Sequence, residues 1–151
     1  MPGHIPWNKV DLPLRAQRSI WLATTRPDGR PHVVPVWFMW DGQEIYFVTP
    51  RASQKAKNVA RQPSVVVHAG DGDDVIIVEG AVEIVTDPDE QRRVDSAYRE
   101  KYVDPHSGAQ ATIFNEGDDL YRVRPLRIMT WEYGVIDTRT DWTFGDSPAA
   151  S

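Results

Sequence analysis

The sequence predicts a mainly β protein in which an antiparallel sheet curls into a barrel, with helices flanking it. Three observations lead to this prediction. Short runs of β-branched and aromatic residues recur along the 151 residues, and turn residues separate most of them. Helical patterns interrupt these runs at only a few places, whereas a parallel sheet needs a crossover after nearly every strand. Gly80 lies inside the longest run, which is typical of a strand that bends or bulges as a sheet closes.

The first third of the chain predicts a short helix followed by strands that tight turns connect. Asp11 is the expected helix cap, with Pro13 in the first turn. The expected strands span residues 19–25, 31–40 and 45–49. Turn residues at 27–29 and the Asp41-Gly42 pair separate them, and an Asp-Gly pair between two apolar runs is a strong hairpin signal. We therefore expect neighbouring strands here to pair antiparallel.

The remainder of the chain predicts two helices and the later strands of the sheet. Ser53 is a favourable N-cap for a helix over residues 53–61. Asp87 is the expected cap of the second helix, which runs to about Tyr102, and Glu90 stands where it would complete a capping box. The expected strands span residues 65–69, 75–86, 120–123 and 127–133. In total the sequence predicts six or seven strands.

The composition narrows the classes of partner and site that the chain supports. Its net charge is −5 and its charges are interspersed, which argues against a nucleic-acid partner. The chain has no cysteine and its four histidines lack metal-ligand spacing, so no metal site is expected. No apolar run approaches the roughly 20 residues that span a membrane, and the N-terminus lacks a secretory pattern. We expect a cytoplasmic protein with one domain over residues 1–151, a core at about residues 11–134 and a frayed tail at residues 146–151.

The most informative segment joins a strand to a helix over residues 45–61. The first turn of a helix has unpaired N–H groups and a partial positive charge, which favour a bound phosphate. Ser53 caps this helix, and Arg51, Lys55 and Lys57 place three cations around its start. The same residues also fit an ordinary helix cap beside a solvated face. From this segment alone both interpretations stay open.

Several segments, in their order along the chain, resemble the pyridoxamine 5′-phosphate oxidase-like, FMN-binding split barrels. The segments are residues 24–38, 46–49, 53–58, 78–81 and 124–131. The first resembles the opening hairpin of that family, and Ser53-x-Lys55-x-x-Asn58 resembles its phosphate-binding turn. The later segments fit its later strands. The resemblance covers residues 20–131 and so most of the chain.

The resemblance implies a split-barrel homodimer with two cofactor sites at the interface between the subunits. The phosphate would lie against the start of the helix at Ser53, and the cofactor ring against the backbone of the strand that ends at Trp37. The implied cofactor-binding residues are Val34, Pro35, Val36, Trp37, Val48, Thr49, Ser53, Gln54, Lys55 and Asn58. The implied activity is hydride transfer between this cofactor and a small organic substrate. No side chain stands out as an acid or a base, so the catalytic residues are left unassigned.

One departure from the family pattern bears on the choice of cofactor. The vitamin-converting oxidases typically have Ser-Arg-Lys at this turn, whereas this chain has Gln54 in the middle position. Ser-Gln-Lys is similar to the actinobacterial branch of the fold that uses the deazaflavin F420. The resemblance therefore favours F420 over FMN and argues against vitamin B6 chemistry. Two alternatives stay open: a non-catalytic split barrel that binds the cofactor or haem, and a β-barrel interaction module without a cofactor.

Overall fold

The computed structural model describes residues 5–132 and 135–145, which form eight strands and three helices. In chain order these are α1 (Asn8–Ala16), β1 (Ser19–Thr25), β2 (Pro31–Trp37), β3 (Met39–Trp40), β4 (Ile45–Pro50), α2 (Gln54–Arg61), β5 (Ser64–Gly70), β6 (Asp74–Ile84), α3 (Pro88–Lys101), β7 (Asp118–Glu132) and β8 (Val135–Thr143). The expected tail at residues 146–151 and the expected strand end at residue 133 lie outside the described residues.

All eight strands belong to one antiparallel sheet that curls back on itself. The strand order is β2-β1-β5-β6-β7-β4-β3, and β8 pairs with β7. Although β2 and β3 occupy opposite ends of this order, a single residue, Phe38, separates them in the chain. The two ends of the sheet must therefore meet at Phe38. The predicted mainly β, antiparallel and curled sheet is confirmed.

Phe38 also divides the strand that the sequence predicted over residues 31–40. Its side chain is fully buried, and its backbone contacts Tyr102, the residue that caps the end of α3. The Phe38 N–H donates to the Tyr102 hydroxyl at 2.8 Å, and that hydroxyl lies 2.8 Å from the Phe38 carbonyl oxygen. A tyrosine hydroxyl thus takes the place of a neighbouring strand. The single predicted strand is therefore two strands, β2 and β3.

Gly80 lies at a β-bulge in the sheet, as predicted. Glu79 pairs with Arg127 but Gly80 pairs with Pro125, so β7 carries one extra residue at this point. A Cβ atom on Gly80 would lie 2.6 Å from the carbonyl oxygen of Arg124, so only glycine fits without displacing the backbone. The two strands predicted at residues 120–123 and 127–133 are one continuous strand, β7, with this bulge in its middle.

The N-terminal contacts of α1 and α3 differ in part from the sequence prediction. In α1 the N-cap position belongs to Trp7, and the Asp11 carboxylate instead accepts hydrogen bonds from Trp40 Nε1 at 2.9 Å and from Arg15 Nε. In α3 Asp87 is the cap, as predicted. The predicted capping box is not formed, because the Glu90 carboxylate instead contacts Arg122 on β7.

Arg122 on β7 joins α3 to the barrel through three carboxylates. Its guanidinium lies 2.6 Å from Glu90 on α3, 2.8 Å from Glu83 on β6 and 2.9 Å from Glu44 before β4. The contacts to Glu90 and Glu83 are hydrogen bonds, whereas the contact to Glu44 is an ion pair without hydrogen-bond geometry. Tyr46 also donates its hydroxyl to Glu90 at 2.8 Å. This group, Arg122 with Glu44, Glu83 and Glu90, is called the Arg122 cluster below.

The apolar core lies in two parts. The larger part fills the curled sheet and includes Phe38, Phe47 and Val78. The smaller part packs beneath α3 and includes Tyr46, Val94 and Tyr102. The second cluster holds α3 against the outside of β4, so the C-terminal end of α3 reaches the β2–β3 junction.

Candidate functional site

The start of α2 presents polar groups and has no carboxylate in its first turn. Ser53 is the N-cap, and its Oγ accepts a hydrogen bond from the Ala56 N–H at 3.2 Å. The buried Thr49 hydroxyl lies 3.1 Å from Ser53 Oγ and fixes its position. The first turn of α2 contains no acidic residue. Its unpaired N–H groups and partial positive charge are therefore available to an anion.

Lys55 adds a cation that has no anionic partner within the described part of the chain. Its side chain is half-buried, and burial lowers the pKa of its ammonium group because the charged form loses solvent. Lys57 is exposed on the same helix. Arg51, the third candidate cation from the sequence, instead forms an ion pair with Asp119 at 3.0 Å. Lys55 is therefore the cation best placed to receive a phosphate.

A chain of side-chain amides connects α2 to β1. Gln54 Nε2 donates to Asn58 Oδ1 at 2.8 Å, and Asn58 Nδ2 donates to Thr24 Oγ1 at 2.9 Å. Asn58 is fully buried, so it holds Gln54 in place from below. Gln54 itself is exposed and faces the hairpin between β1 and β2. The fold therefore brings Thr49, Ser53, Gln54, Lys55 and Asn58 together around the start of α2.

The hairpin between β1 and β2 adds cationic side chains that the sequence analysis missed. An open cavity of about 580 Å³ is lined by Arg26, Pro27, Asp28, Arg30, His32 and Gln54. Arg30 is paired with Asp28 at 2.8 Å. In contrast, Arg26 Nε and His32 Nδ1 are buried without any hydrogen-bond partner among the described residues. Buried polar atoms without a partner are rare in folded chains, and these two border a cavity that is open to a ligand.

The β2 strand borders this cavity with a free edge. Among the described strands β2 pairs only with β1, so its other edge presents backbone N–H and C=O groups without a strand partner. Val34 and Val36 point towards the core, whereas Pro35 and Trp37 are exposed. Of β2, only His32 lines the cavity beside Gln54, and these four predicted residues continue along the strand away from it. Val48, also predicted, instead packs against the second core cluster beneath α3.

Another cavity does not suit an anionic ligand. It measures about 450 Å³ and lies between α1 and the turn that connects β5 to β6. Its lining includes Asp71, Asp74 and Glu132 beside one cation, Lys9. Over residues 5–132 and 135–145, no group of three or more histidine and carboxylate side chains could hold a metal ion. In the same part of the chain, no helix has the length and apolarity that a bilayer span requires.

Comparison with known proteins assigns the chain to a family. The sequence pattern that defines the pyridoxamine 5′-phosphate oxidase family matches residues 8–132, and the chain belongs to that family. Among curated proteins, an F420H2-dependent biliverdin reductase of Mycobacterium tuberculosis is 31% identical over 94 residues, which are 61% of this chain and 69% of that protein.

Two solved structures extend the comparison. A protein described as an F420 reductase is 30% identical, with a TM-score of 0.59 over 78% of this chain and 94% of its own. A conserved hypothetical protein of Mycobacterium tuberculosis is 26% identical, with a TM-score of 0.68 over 96% of this chain and 95% of its own. Together the family and these relatives support the assignment of this chain to one class of enzyme, the oxidoreductases that use a flavin-type cofactor.

Proposed function

We propose that this chain is an oxidoreductase that binds F420, or FMN in its place, and transfers hydride between that cofactor and a small organic substrate. The observation that carries the proposal is the unpaired positive charge around the start of α2. Lys55 and Arg26 have no ion-pair partner in the described structure, and the first helical turn has no carboxylate. These groups fit the phosphate of either cofactor.

The remaining contacts follow from the placement of β2. Ser53, Gln54 and Lys55 would hold the phosphate, and the free edge of β2 would hydrogen-bond the polar edge of the cofactor ring. The bound cofactor supplies the hydride chemistry, while the chain binds it, orients it and excludes water. Val34 and Val36 fix β2 against the core, so this edge is a rigid support for the ring.

F420 is favoured over FMN for two reasons. Gln54 replaces a cation that the vitamin-converting oxidases carry at this turn, and Arg26 from the neighbouring hairpin supplies positive charge from another direction. Cations placed differently from those of the vitamin-converting oxidases suit a cofactor whose phosphate lies differently from that of FMN, as we propose for F420. Two of the relatives described above are named for F420, which supports the same choice.

The Lys55→Ala variant tests this proposal. Loss of a charged hydrogen bond to phosphate is expected to weaken cofactor binding by about tenfold or more. The measurement is a fluorescence titration with F420 and, separately, with FMN. Lys57→Ala is the matched control, because Lys57 has the same charge on the same helix but is exposed, and its effect is expected to stay within about twofold. Equal affinities for wild type and Lys55→Ala would refute the phosphate role of Lys55.

The outer side of the sheet supports the proposed homodimer. Residues opposite one another on neighbouring strands share a face, and here such rows are largely apolar. The face, called the outer apolar face, comprises Trp21, Ala23, Val33, Pro35, Val66, His68, Ile77 and Met129. The ion pair between Glu79 and Arg127 continues the row of Val66 and borders this face. Trp21 is 45% exposed and Val33 is 49% exposed. Monomeric proteins rarely expose a continuous apolar surface of this kind, so we propose that a second copy of the chain covers it.

Replacing Trp21 with glutamate is expected to separate the two subunits, because a charge would be buried at the centre of the proposed interface. Sedimentation velocity is expected to give a dimer mass for wild type and a monomer mass for Trp21→Glu. Leu12→Glu is the control, since Leu12 is 60% exposed on α1, away from this face. A wild-type protein of monomer mass, or a Trp21→Glu variant of dimer mass, would contradict the interface.

A further inference from the structure

Two cations flank one aromatic stack where β2 passes into β3. The rings of Trp37 and Tyr102 are parallel within 1°, and their centroids lie 4.5 Å apart. The Arg18 guanidinium carbon lies 4.6 Å from the Trp37 ring centroid and 5.7 Å from that of Tyr102. Lys101 Nζ lies 5.4 Å from the Tyr102 centroid and 3.7 Å from that of Phe38. We call Arg18, Trp37, Lys101 and Tyr102 the aromatic–cation cluster.

Neither cation has a carboxylate partner among residues 5–132 and 135–145. The Arg18 guanidinium, which has five N–H donors, contacts only ring faces there. Lys101 makes one hydrogen bond, from Nζ to the Phe38 carbonyl oxygen at 3.2 Å. Burial lowers the pKa of Lys101 to about 8, because no anion offsets the loss of solvent. By contrast, Arg99 on α3 is paired with Asp95 at 2.7 Å.

The position of the cluster relates it to the proposed cofactor. Trp37 ends β2, whereas His32, near the start of the same strand, lines the cavity that contains Gln54. Five residues of extended strand correspond to roughly 17 Å. With the phosphate at the Gln54 end and the ring along the strand, the reactive face of the site lies towards Trp37. Trp37 is 41% exposed in the single chain, and it lies at the end of β2 beyond Val33 and Pro35, at the border of the outer apolar face.

We propose that the aromatic–cation cluster is the substrate-recognition surface, and that the substrate is a planar, conjugated molecule bearing at least one carboxylate. This inference rests on the proposed cofactor site for its position along β2. Trp37 provides an aromatic surface for stacking, while Arg18 and Lys101 provide the charge that a carboxylate needs. A neutral planar molecule gains only the stacking part of this recognition.

The experiment compares 2-naphthoate with 2-naphthamide, which have the same ring system but differ in charge. Binding to the protein, loaded with whichever of F420 and FMN binds more tightly, is measured by ligand-observed NMR titration. Naphthoate is expected to bind about fivefold or more tightly than naphthamide. Arg18→Gln and Lys101→Gln are each expected to remove most of that preference without changing naphthamide binding. Lys9→Gln, a change of the same charge on α1, is the control and keeps the preference.

The possible outcomes separate this inference from its rivals. Equal binding of the two probes, or a preference that survives both substitutions, overturns it. If the substitutions change the sedimentation mass but not the probe affinities, the cations serve the subunit contact and the inference is wrong. Arg18 is exposed, so Arg18→Gln is expected to fold even if Lys101→Gln does not. The same titration without cofactor distinguishes a failure of this surface from a failure of the cofactor site.

Discussion

Replacing Arg122 with alanine is expected to lower the free energy of unfolding by about 3–5 kcal/mol. The side chain of Arg122 is only 17% exposed, and its guanidinium contacts all three carboxylates of the Arg122 cluster. Its removal leaves Glu44 without an ion pair among the described residues, while Glu83 and Glu90 keep only Arg124 at 3.0 Å and Arg93 at 4.0 Å. Urea unfolding at a fixed protein concentration measures the loss. Arg92→Ala removes an exposed ion pair within α3 and is expected to cost no more than about 1 kcal/mol.

The loss caused by Arg122→Ala is expected to be larger at pH 8 than at pH 5. In wild type, burial acts to raise the pKa of Glu90, but hydrogen bonds from Arg122 and Tyr46 outweigh it and hold that pKa below its usual range. Burial already raises the pKa of Glu44, despite Arg122. Without Arg122 the folded chain would bind protons at these two carboxylates more readily than the unfolded chain. Stability of the variant would then fall as the pH rises, and an equal loss at both pH values would contradict this account.

Replacing Gly80 with alanine is expected to destabilise the fold by about 1–3 kcal/mol through overpacking. The added methyl carbon would meet the Arg124 carbonyl oxygen at 2.6 Å and a Val123 methyl at 2.9 Å. Neither neighbour can move without disturbing β7 at its bulge. Gly72→Ala is the control, because nothing lies within 4 Å of its added carbon and its φ is not positive. Similar midpoints in urea for the two variants would show that β7 yields at little cost.

Elements defined by local signals were predicted closely from the sequence. The boundaries of β1 agree with the expected strand, and α2 begins after the Ser53 cap as predicted. In both cases the residues that fix the element lie within or beside it, as caps, turns or a period-two pattern. The turn at residues 27–29 is likewise local. For such elements no distant contact competes with the local preference.

Elements decided by distant contacts were predicted less well. The bulge near Pro125 changes which residues of β7 face the core, so the alternation on either side looked like two strands. Glu90 stands at the capping-box position of α3, but its carboxylate binds the charged guanidinium of Arg122 on β7 instead of a backbone N–H. Asp11 likewise does not cap α1, because its carboxylate accepts hydrogen bonds from Trp40 and Arg15. In each case a contact across the fold outweighed a weak local preference.

The candidate site shows the same division. The residues around the start of α2 belong to one segment, so their spacing could indicate an anion site. Arg26 belongs to the hairpin between β1 and β2, and the sequence alone did not single it out. Its proximity to Gln54 depends on the hydrogen bond between Asn58 and Thr24, which no sequence pattern reveals. Only the folded structure shows that Arg26 Nε is buried without a hydrogen-bond partner among the described residues.

The hydroxyl of Tyr102 that stands between β2 and β3 has a consequence for how this protein reaches its native state. Phe38 and Tyr102 are 64 positions apart, so the seam of the barrel can close only after α3 has been made and has docked. Contacts of such long sequence separation form slowly, because a large loop must be ordered before they contribute. A ribosome-bound chain that stops before α3 would also lack β7, which joins β6 to β4, so its sheet would remain in two separate parts.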